Sequence, residues 1–449
     1  MKFIPNSELK DTMLKEIGLD DIDDLFSDIP NKIKIKDLDL PVGLSQQETE
    51  QKLRELADKN RSFHDVLCFV GGGIKPHYIP SVVKSILTRA EFYTAYTPYQ
   101  SEASQGFLQA MFEYQSMIAE VTGMDIANAS LYDGVTALGE AALMCTRINR
   151  KKTFVVPQNI SWGKKSVLKN YTRGPNLEIK EIPYDITTGK IDLKQLRNHV
   201  DENTTGVYIE NPNFFGVFED DVDKISKIIK DAGSLFVVGT DPISLGITKS
   251  PRDYDADIVI GEGRAFGNPM DFGGSSLGVF ACKKEFLRNM PGRVIGLTKD
   301  KNGDRAFCMA LQTREQHIRR GRATSNICTN EGLCALAAAC YLSWLGGNGL
   351  ENLSNINFEM GQKLAEGIES VDGFKKMFNG VHFNEFVIRC SKDANMINKK
   401  LLKKGIQGGL LLDQWFPELK NCMLFGVSEV HSDSDIERFV SVLEEASNV

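Results

Sequence analysis

The chain has 449 residues, of which 42% are hydrophobic and 25% are charged, and its formal net charge is −7. This length exceeds that of one small domain, and this composition can fill a large core. The acidic balance and the lack of a basic stripe exclude a typical polyanion-binding protein, so we expect no nucleic-acid partner.

The sequence also predicts a protein that neither crosses a membrane nor holds a metal ion. Its opening residues, 1–6, carry no apolar export segment. The longest nearly apolar stretch, Leu333–Leu345, is shorter than the ~20 residues that a bilayer requires. The nine cysteines form no CxxC pair, and no histidine cluster accompanies them. We therefore expect a cytoplasmic protein with reduced, buried thiols.

Residues 1–65 predict a helical arm. Apolar residues recur at the spacing of amphipathic turns, at Leu14, Ile17, Ile22 and Leu25. Ser45 and Glu48 form a capping box, which starts a helix that runs to about Lys59. We interpret this segment as an arm that packs on a neighbouring surface.

From about residue 125 to 290, apolar strand-like runs alternate with helix-like runs. The strand-like runs are Ala127–Tyr132, Thr153–Pro157, Leu177–Pro183, Gly206–Glu210, Ser234–Gly239, Ala256–Ile260 and Ser276–Cys282. The helix-like runs are Gly134–Arg147, Trp162–Tyr171, Asp192–Val200 and Val222–Ala232. This alternation implies right-handed crossovers and a mainly parallel sheet. The strands are apolar throughout, as expected when helices cover both faces of the sheet.

The composition shifts again after about Asn330, where a smaller α+β domain is predicted. Its helices are Glu331–Leu345, ending at Gly346 and Gly347, a second near Leu353–Val371, then Ala394–Lys403 and Ser434–Ala446; its strands are Phe383–Cys390 and Asn421–Val427. The predicted domains are thus the arm at 1–65, a large α/β domain at 66–330 and a small C-terminal domain at 331–449.

Two strand ends in the predicted sheet carry residues suited to a ligand. At Tyr132, Asp133 and Gly134 a strand gives way to a helix, whose unpaired N–H groups can hold a phosphate. A plain N-cap at Asp133 explains this motif equally well. Asp241 follows a strand at the edge where open α/β folds bind ligands, although a turn-making Asp before Pro242 fits as well.

Two further segments are distinctive. The run Gly71–Gly73 lacks the spacing of a phosphate loop, so we interpret it as a plain turn. The segment Tyr93–Gln100 places three tyrosines within seven residues, beside Pro98. A tyrosine combines an apolar ring with a hydroxyl, which suits a ligand pocket or an interface. A surface loop with partly buried aromatic residues is the alternative.

Several longer runs resemble the glycine cleavage system P-protein family, in the form of the first subunit of the split glycine decarboxylase. These runs are Glu91–Gln100, Gln105–Gln115, Thr122–Ser130, Leu131–Gly134, Phe272–Gly274, Pro291–Arg293, Leu311–Arg320 and Ala323–Asn330. The resemblance covers nearly the whole chain in order. The chain departs from the family pattern at Phe69–Ile74, Ser101–Ala103 and Gln158–Asn159.

The resemblance implies the fold of fold-type I pyridoxal-phosphate enzymes, with an aminotransferase-like large domain. In the family's catalytic subunit, a His-Lys pair after an Ala-Asp strand supplies the lysine that forms the Schiff base with the cofactor. Placing that pattern on Ala256 and Asp257 puts Arg264 at the histidine and Ala265 at the lysine. Neither side chain can form this bond, since alanine has no amine and arginine stays protonated.

The resemblance therefore implies that a lysine-bearing partner subunit holds the pyridoxal phosphate. In this chain, Tyr132, Asp133, Gly134 and Asp241 would then outline a vestigial cofactor pocket, and no catalytic residue is expected. The assembly would be an (αβ)₂ heterotetramer that decarboxylates glycine and passes the aminomethyl group to the lipoyl arm of the H-protein. The residues expected to line the partner's pocket or the interface are Tyr96, Tyr99, Gln100, Thr324, Ser325 and Asn326.

Two other hypotheses remain open from the sequence. The chain could be an independent pyridoxal-phosphate enzyme that uses another lysine, such as Lys249. It could also be a non-catalytic scaffold or regulatory protein on the same fold.

Overall fold

The computed structural model describes residues 6–35, 37–95 and 97–447. They form two compact units, which adjoin in the sequence at Arg61 and Ser62. The α-helices are α1 (Lys10–Glu16), α2 (Gln46–Ala57), α3 (Ser81–Leu87), α4 (Ala90–Tyr93), α5 (Gln105–Thr122), α6 (Gly134–Asn149), α7 (Trp162–Arg173), α8 (Leu193–His199), α9 (Val222–Asp231), α10 (Gln316–Arg319), α11 (Gly332–Glu369), α12 (Ala394–Lys403) and α13 (Asp433–Ser447).

The β-strands all belong to the second unit. They are β1 (Leu67–Cys68), β2 (Ile126–Ala127), β3 (Thr153–Pro157), β4 (Glu178–Ile182), β5 (Thr204–Glu210), β6 (Leu235–Thr240), β7 (Ile258–Glu262), β8 (Gly278–Cys282), β9 (Val294–Lys299), β10 (Arg305–Ala310), β11 (Phe374–Lys376), β12 (Glu385–Cys390), β13 (Ile406–Gln407), β14 (Leu410–Leu411) and β15 (Cys422–Gly426).

The first unit is helical, as the sequence predicts. The Ser45 hydroxyl accepts the Glu48 N–H at 3.3 Å, and the Glu48 carboxylate accepts the Ser45 N–H at 2.8 Å. This capping box starts α2, which ends slightly before the expected Lys59. Of the four apolar residues singled out in this segment, Leu14 is buried, whereas Ile17, Ile22 and Leu25 are exposed.

The second unit is built on a seven-stranded sheet with the order β2-β8-β7-β6-β5-β3-β4. The five strands from β4 to β7 run parallel, β8 is antiparallel to β7, and β2 is antiparallel to β8. A mainly parallel sheet is therefore confirmed. Every residue of β3, β5 and β6 is buried, because helices cover both faces.

One predicted strand is much shorter than expected. The sequence favours a strand over Ala127–Tyr132, whereas β2 covers only Ile126–Ala127. Ser130 has a φ of 84°, in the left-handed region, which breaks the extended run. Beyond it, Leu131 makes only an isolated bridge to Gly278.

Two hydrophobic clusters lie on the opposite faces of this sheet. Val207 and Ile209 of β5 belong to the cluster that contains α5 and the first half of α11. Tyr208 belongs to the cluster that contains α6 and Leu168 of α7. Successive residues of a strand point to opposite faces, so one strand contributes to both clusters.

Helix α11 joins the large sheet to the C-terminal region. The sequence predicts two helices separated at Gly346 and Gly347, and α11 is indeed two helical segments that meet at a kink at Gly346, whose φ is 67°. In length and composition α11 is the one helix of the described residues that could span a membrane. It is longer than the apolar stretch Leu333–Leu345 considered above, and much of its apolar surface packs in the core.

The C-terminal region contains the antiparallel sheet β11-β12-β15-β14, packed against α12, α13 and the second half of α11. Leu67 and Cys68 pair with Ile406 and Gln407 in this region, and Phe69 is part of its core. Residues 67–69, at the start of the stretch predicted as the large domain, thus pack with the C-terminal region. All nine cysteines are free, and Cys328 is exposed, contrary to the expectation of buried thiols throughout.

Candidate functional site

A cavity of about 320 Å³ opens at the carboxyl edge of the parallel strands. Three acidic residues mark this edge, because Glu210 ends β5, Asp241 follows β6 and Glu262 ends β7. Open α/β folds bind ligands at this edge. Of the residues predicted for a vestigial pocket, Asp133, Gly134 and Asp241 line the cavity, and Ala265 lines it too.

The start of α6 forms one wall of this cavity. The Asp133 carboxylate accepts the Thr136 N–H at 2.6 Å and the Thr136 hydroxyl at 2.9 Å, so it is the N-cap of the helix. The Gly134 N–H donates to Oε2 of Glu262 at 3.0 Å. A Cβ on Gly134 would lie 3.0 Å from the carbonyl oxygen of Gly261, so only glycine fits here without a shift.

Glu262 is held by backbone donors on three sides. Besides the Gly134 N–H, its Oε1 accepts the N–H groups of Leu277 at 2.8 Å and Arg264 at 3.1 Å. Burial raises the pKa of Glu262, and these N–H groups and the Arg264 charge oppose that rise. The Arg264 side chain is turned to Gly273 and Ser276, at 3.2 and 2.9 Å.

An ammonium group occupies the opposite part of the cavity. Nζ of the buried Lys75 lies 3.1 Å from Glu385 and 3.8 Å from Asp241. Burial alone would lower the pKa of Lys75, but the two carboxylates outweigh it and the pKa is raised. Lys75 is therefore a protonated partner of Asp241 rather than a free amine.

Gly72 and Gly73, in the run interpreted from the sequence as a plain turn, line this cavity. The N–H groups of Gly72 and Gly73 both donate to Oε1 of Glu385, at 3.0 and 2.9 Å. Gly72 and Gly73 need φ values of 109° and 90°, which glycine adopts readily. The run binds a carboxylate of the protein itself.

The second lysine that lines the cavity is also paired. Nζ of Lys164 donates to Glu210, which in addition accepts the Tyr208 hydroxyl at 2.7 Å. In the described part of the chain, each lysine lining the cavity thus has a carboxylate partner. Lys249, the lysine of the rival hypothesis, is exposed and does not line the cavity.

Sequence reasoning missed several residues of this cavity. Glu210 and Glu262 end apolar strands as Asp241 does, so the rule that found Asp241 could also have found them. Lys75 and Glu385 are 310 positions apart, and no local pattern indicates that they meet.

A second cluster of polar contacts is centred on the buried Arg293. Its Nη1 donates to the Thr329 hydroxyl at 2.7 Å, and its Nη2 donates to the Cys328 carbonyl at 3.0 Å and to the Tyr99 hydroxyl at 3.1 Å. The guanidinium also lies over the Tyr99 ring, 5.4 Å from its centroid. Arg293 therefore joins the tyrosine segment to residues 328–330.

Tyr132 belongs to this second cluster, although it was predicted for the vestigial pocket. Its hydroxyl accepts the Cys328 N–H at 2.9 Å, and within the described residues it does not line the cavity. The side chains of Tyr132 and Asp133 therefore serve different sites.

The structure places the predicted interface residues around this cluster, apart from Tyr96, which lies outside the described residues. Tyr99, Gln100 and Asn326 are exposed. Thr324 and Ser325 are half-buried and line a small crevice beside Arg293.

Comparisons with known proteins identify the family. A sequence profile described as "Glycine cleavage system P-protein" matches residues 1–443. The chain belongs to this family. P-protein family members similar to it include the "Probable glycine dehydrogenase (decarboxylating) subunit 1" of Thermococcus onnurineus, 47% identical over 99% of each chain. The protein of the same name from Thermococcus kodakarensis is 47% identical over 99% of this chain and 98% of its own.

A solved structure of a P-protein has the same fold. The crystal structure of glycine decarboxylase (P-protein) of the glycine cleavage system, in inhibitor-bound form, aligns with a TM-score of 0.91 at 38% identity, over 99% of this chain and 100% of that one. A sphingosine-1-phosphate lyase from Burkholderia pseudomallei aligns with a TM-score of 0.68 at 15% identity, over 92% and 93% of the two chains. The expected fold-type I architecture is confirmed.

The cavity of this P-protein family member does not fit the pyridoxal phosphate of that fold class. Ala265 offers no amine, and the two lysines lining the cavity in the described residues are ion-paired. A lysine that must form an imine has to lose its proton, and the carboxylates beside Lys75 oppose that loss because they raise its pKa.

Proposed function

We propose that this chain is one subunit of a glycine decarboxylase and that it supports the active site of a second, lysine-bearing subunit. The observation that carries the proposal is Ala265, in a cavity where each described lysine already has a carboxylate partner. The match to relatives named subunit 1, over 99% of the chain, supports it.

In the proposed assembly the partner holds the pyridoxal phosphate, and the aminomethyl group of glycine passes to the lipoyl arm of the H-protein. The cofactor supplies the electron sink for decarboxylation. The role of this chain is to complete and enclose the partner's pocket. Two copies of each subunit would form a cytoplasmic (αβ)₂ heterotetramer.

The surface that would reach the partner is the one anchored by Arg293. Tyr99 is 52% exposed, although its hydroxyl accepts a hydrogen bond from the Arg293 guanidinium. Thr324, Ser325 and Asn326 lie in the same stretch as Cys328 and Thr329, which Arg293 also binds. A buried guanidinium that donates to several acceptors fixes the positions of the segments that carry them, here Tyr99 and residues 328–329. We propose that this surface, with Tyr96 and Gln100, lines the partner's pocket.

The N-terminal unit supplies a second part of the proposed interface. Large apolar side chains are exposed along it, among them Met13 at 65%, Ile33 at 66% and Val42 at 93%. An excess of exposed large apolar side chains is typical of a surface that a partner covers. We propose that the second subunit covers them.

The test is glycine decarboxylation with pyridoxal phosphate and lipoylated H-protein present, for this chain, for the lysine-bearing partner and for their mixture. We expect activity in the mixture only. Activity of the isolated chain would contradict the argument from Ala265. Full activity of the isolated partner would favour the scaffold hypothesis, since this chain would then add nothing to the chemistry.

A further inference from the structure

The start of helix α6 has the features of an anion site, but the protein's own carboxyl groups already occupy it. A helix start presents unpaired N–H groups and the positive end of the helix dipole. In this 16-residue helix the Thr136 N–H donates to Asp133, and the Gly134 N–H donates to Glu262.

The start of α6 also packs closely against the end of β7. The missing Cβ of Gly134 would lie 3.0 Å from the carbonyl oxygen of Gly261 and 3.1 Å from the backbone nitrogen of Glu262. The helix therefore abuts the end of β7. Glu262 cannot turn away without losing its hydrogen bonds from Gly134, Leu277 and Arg264.

The other end of the cavity is closed in the same way. Asp241 directly follows β6, and the resemblance to the P-protein family implies that it outlines the vestigial cofactor pocket. The ammonium of Lys75 lies 3.8 Å from its Oδ2. The carboxyl group of Glu262 thus occupies the helix start where an anion would bind, and the ammonium of Lys75 lies beside the carboxylate of Asp241.

We propose that the carboxyl group of Glu262 takes the place of a phosphate at the start of α6 and closes this cavity to phosphorylated ligands, pyridoxal phosphate included. A phosphate at this position would face both Glu262 and Asp133, which already accept the N–H groups of Gly134 and Thr136, so like-charge repulsion adds to the loss of donors. This inference goes beyond the proposed function, because it concerns the chain's own cavity and holds whether or not a partner is present.

The test uses the full chain without a partner, and its readout is the melting temperature as inorganic phosphate or pyridoxal phosphate is added, since a ligand of the folded state raises that temperature. Glu262→Ala removes the carboxyl group that closes the cavity, and Glu262→Gln, a second variant, removes only its charge. The matched control is Glu210→Ala, which removes a carboxylate of the same cavity that is paired with Lys164.

We expect no phosphate-dependent rise for the wild type or for Glu210→Ala. For a Glu262 variant we expect a saturable rise, with phosphate affinity increased on the order of tenfold. A rise of the same size in the wild type would overturn the proposal. An equal gain in phosphate affinity in Glu210→Ala would also overturn the proposal, because it would show that the net charge of the cavity, and not Glu262, excludes phosphate. No gain in either Glu262 variant would show that Glu262 is not the closing group.

Discussion

The buried contact between His77, which lines the cavity, and Glu429 of the C-terminal region leads to a quantitative prediction of stability. Oε2 of Glu429 lies 2.9 Å from Nδ1 of His77 and accepts the Asn357 amide at 3.0 Å, while Oε1 accepts the Tyr78 N–H at 2.8 Å. The side chains of His77 and Glu429 are both 9% exposed. Burial would raise the pKa of Glu429, but His77, Tyr78 and Asn357 lower it to about 2.

The lowered pKa of Glu429 determines how much this residue contributes to the unfolding free energy and how that contribution changes with pH. A fall from 4.5 to about 2 corresponds to about 3 kcal/mol of unfolding free energy. Because the folded-state pKa of Glu429 lies below the unfolded-state value, this contribution is complete above about pH 4.5 and is lost as the pH falls towards 2. We therefore expect Glu429→Gln to lower the unfolding free energy by about 3 kcal/mol at neutral pH.

The assay is chemical denaturation of the wild type and Glu429→Gln, at a series of pH values from about 7 to about 3. The difference in unfolding free energy should shrink as the pH falls below about 4.5. The matched control is Glu444→Gln, at an exposed position, with an expected change within about 0.5 kcal/mol. A difference between wild type and Glu429→Gln that stays constant over this pH range would refute the electrostatic argument.

Three further predictions follow from the two sites. Tyr96→Phe and Tyr99→Phe should leave assembly with the partner intact and lower turnover of the mixture, and full turnover in both variants would refute a pocket role. Arg293→Lys keeps the charge but lacks the planar fork that reaches both Tyr99 and Cys328, so turnover should fall about tenfold while the mixture still assembles, which gel filtration with kinetics can test. Gly134→Ala should lower the unfolding free energy by about 1–3 kcal/mol, because its Cβ meets the end of β7; an unchanged melting temperature would contradict the close packing.

The sequence was most informative where structure depends on local pattern. The apolar runs at Thr153–Pro157 and Gly206–Glu210 are buried parallel strands in the structure. A strand that helices cover on both faces needs apolar side chains on both faces, so its sequence is recognisable as a continuous apolar run. The capping box at Ser45 and the break at Gly346 also follow from local chemistry. Ala265 lines the cavity, as placing the family pattern on the chain implied.

The parts that could not be predicted depend on contacts between distant residues. The pairing of Lys75 with Glu385 brings together the two ends of the second unit, and neither residue has a neighbour that indicates it. Tyr132 was grouped with Asp133 because they are adjacent, but the Tyr132 hydroxyl accepts the Cys328 N–H, a contact 196 positions away in the sequence. Arg293 belongs to the run Pro291–Arg293, which resembles the P-protein family, but only the folded structure shows that it binds Tyr99.

The most direct test of the central claim is to find which chain holds the cofactor in the assembled enzyme. The mixture of this chain and its lysine-bearing partner would be loaded with pyridoxal phosphate, reduced with borohydride and separated for mass analysis. The account predicts a covalent adduct on the partner alone, because Ala265 has no amine and Lys75 and Lys164 are ion-paired. An adduct on any lysine of this chain would contradict it.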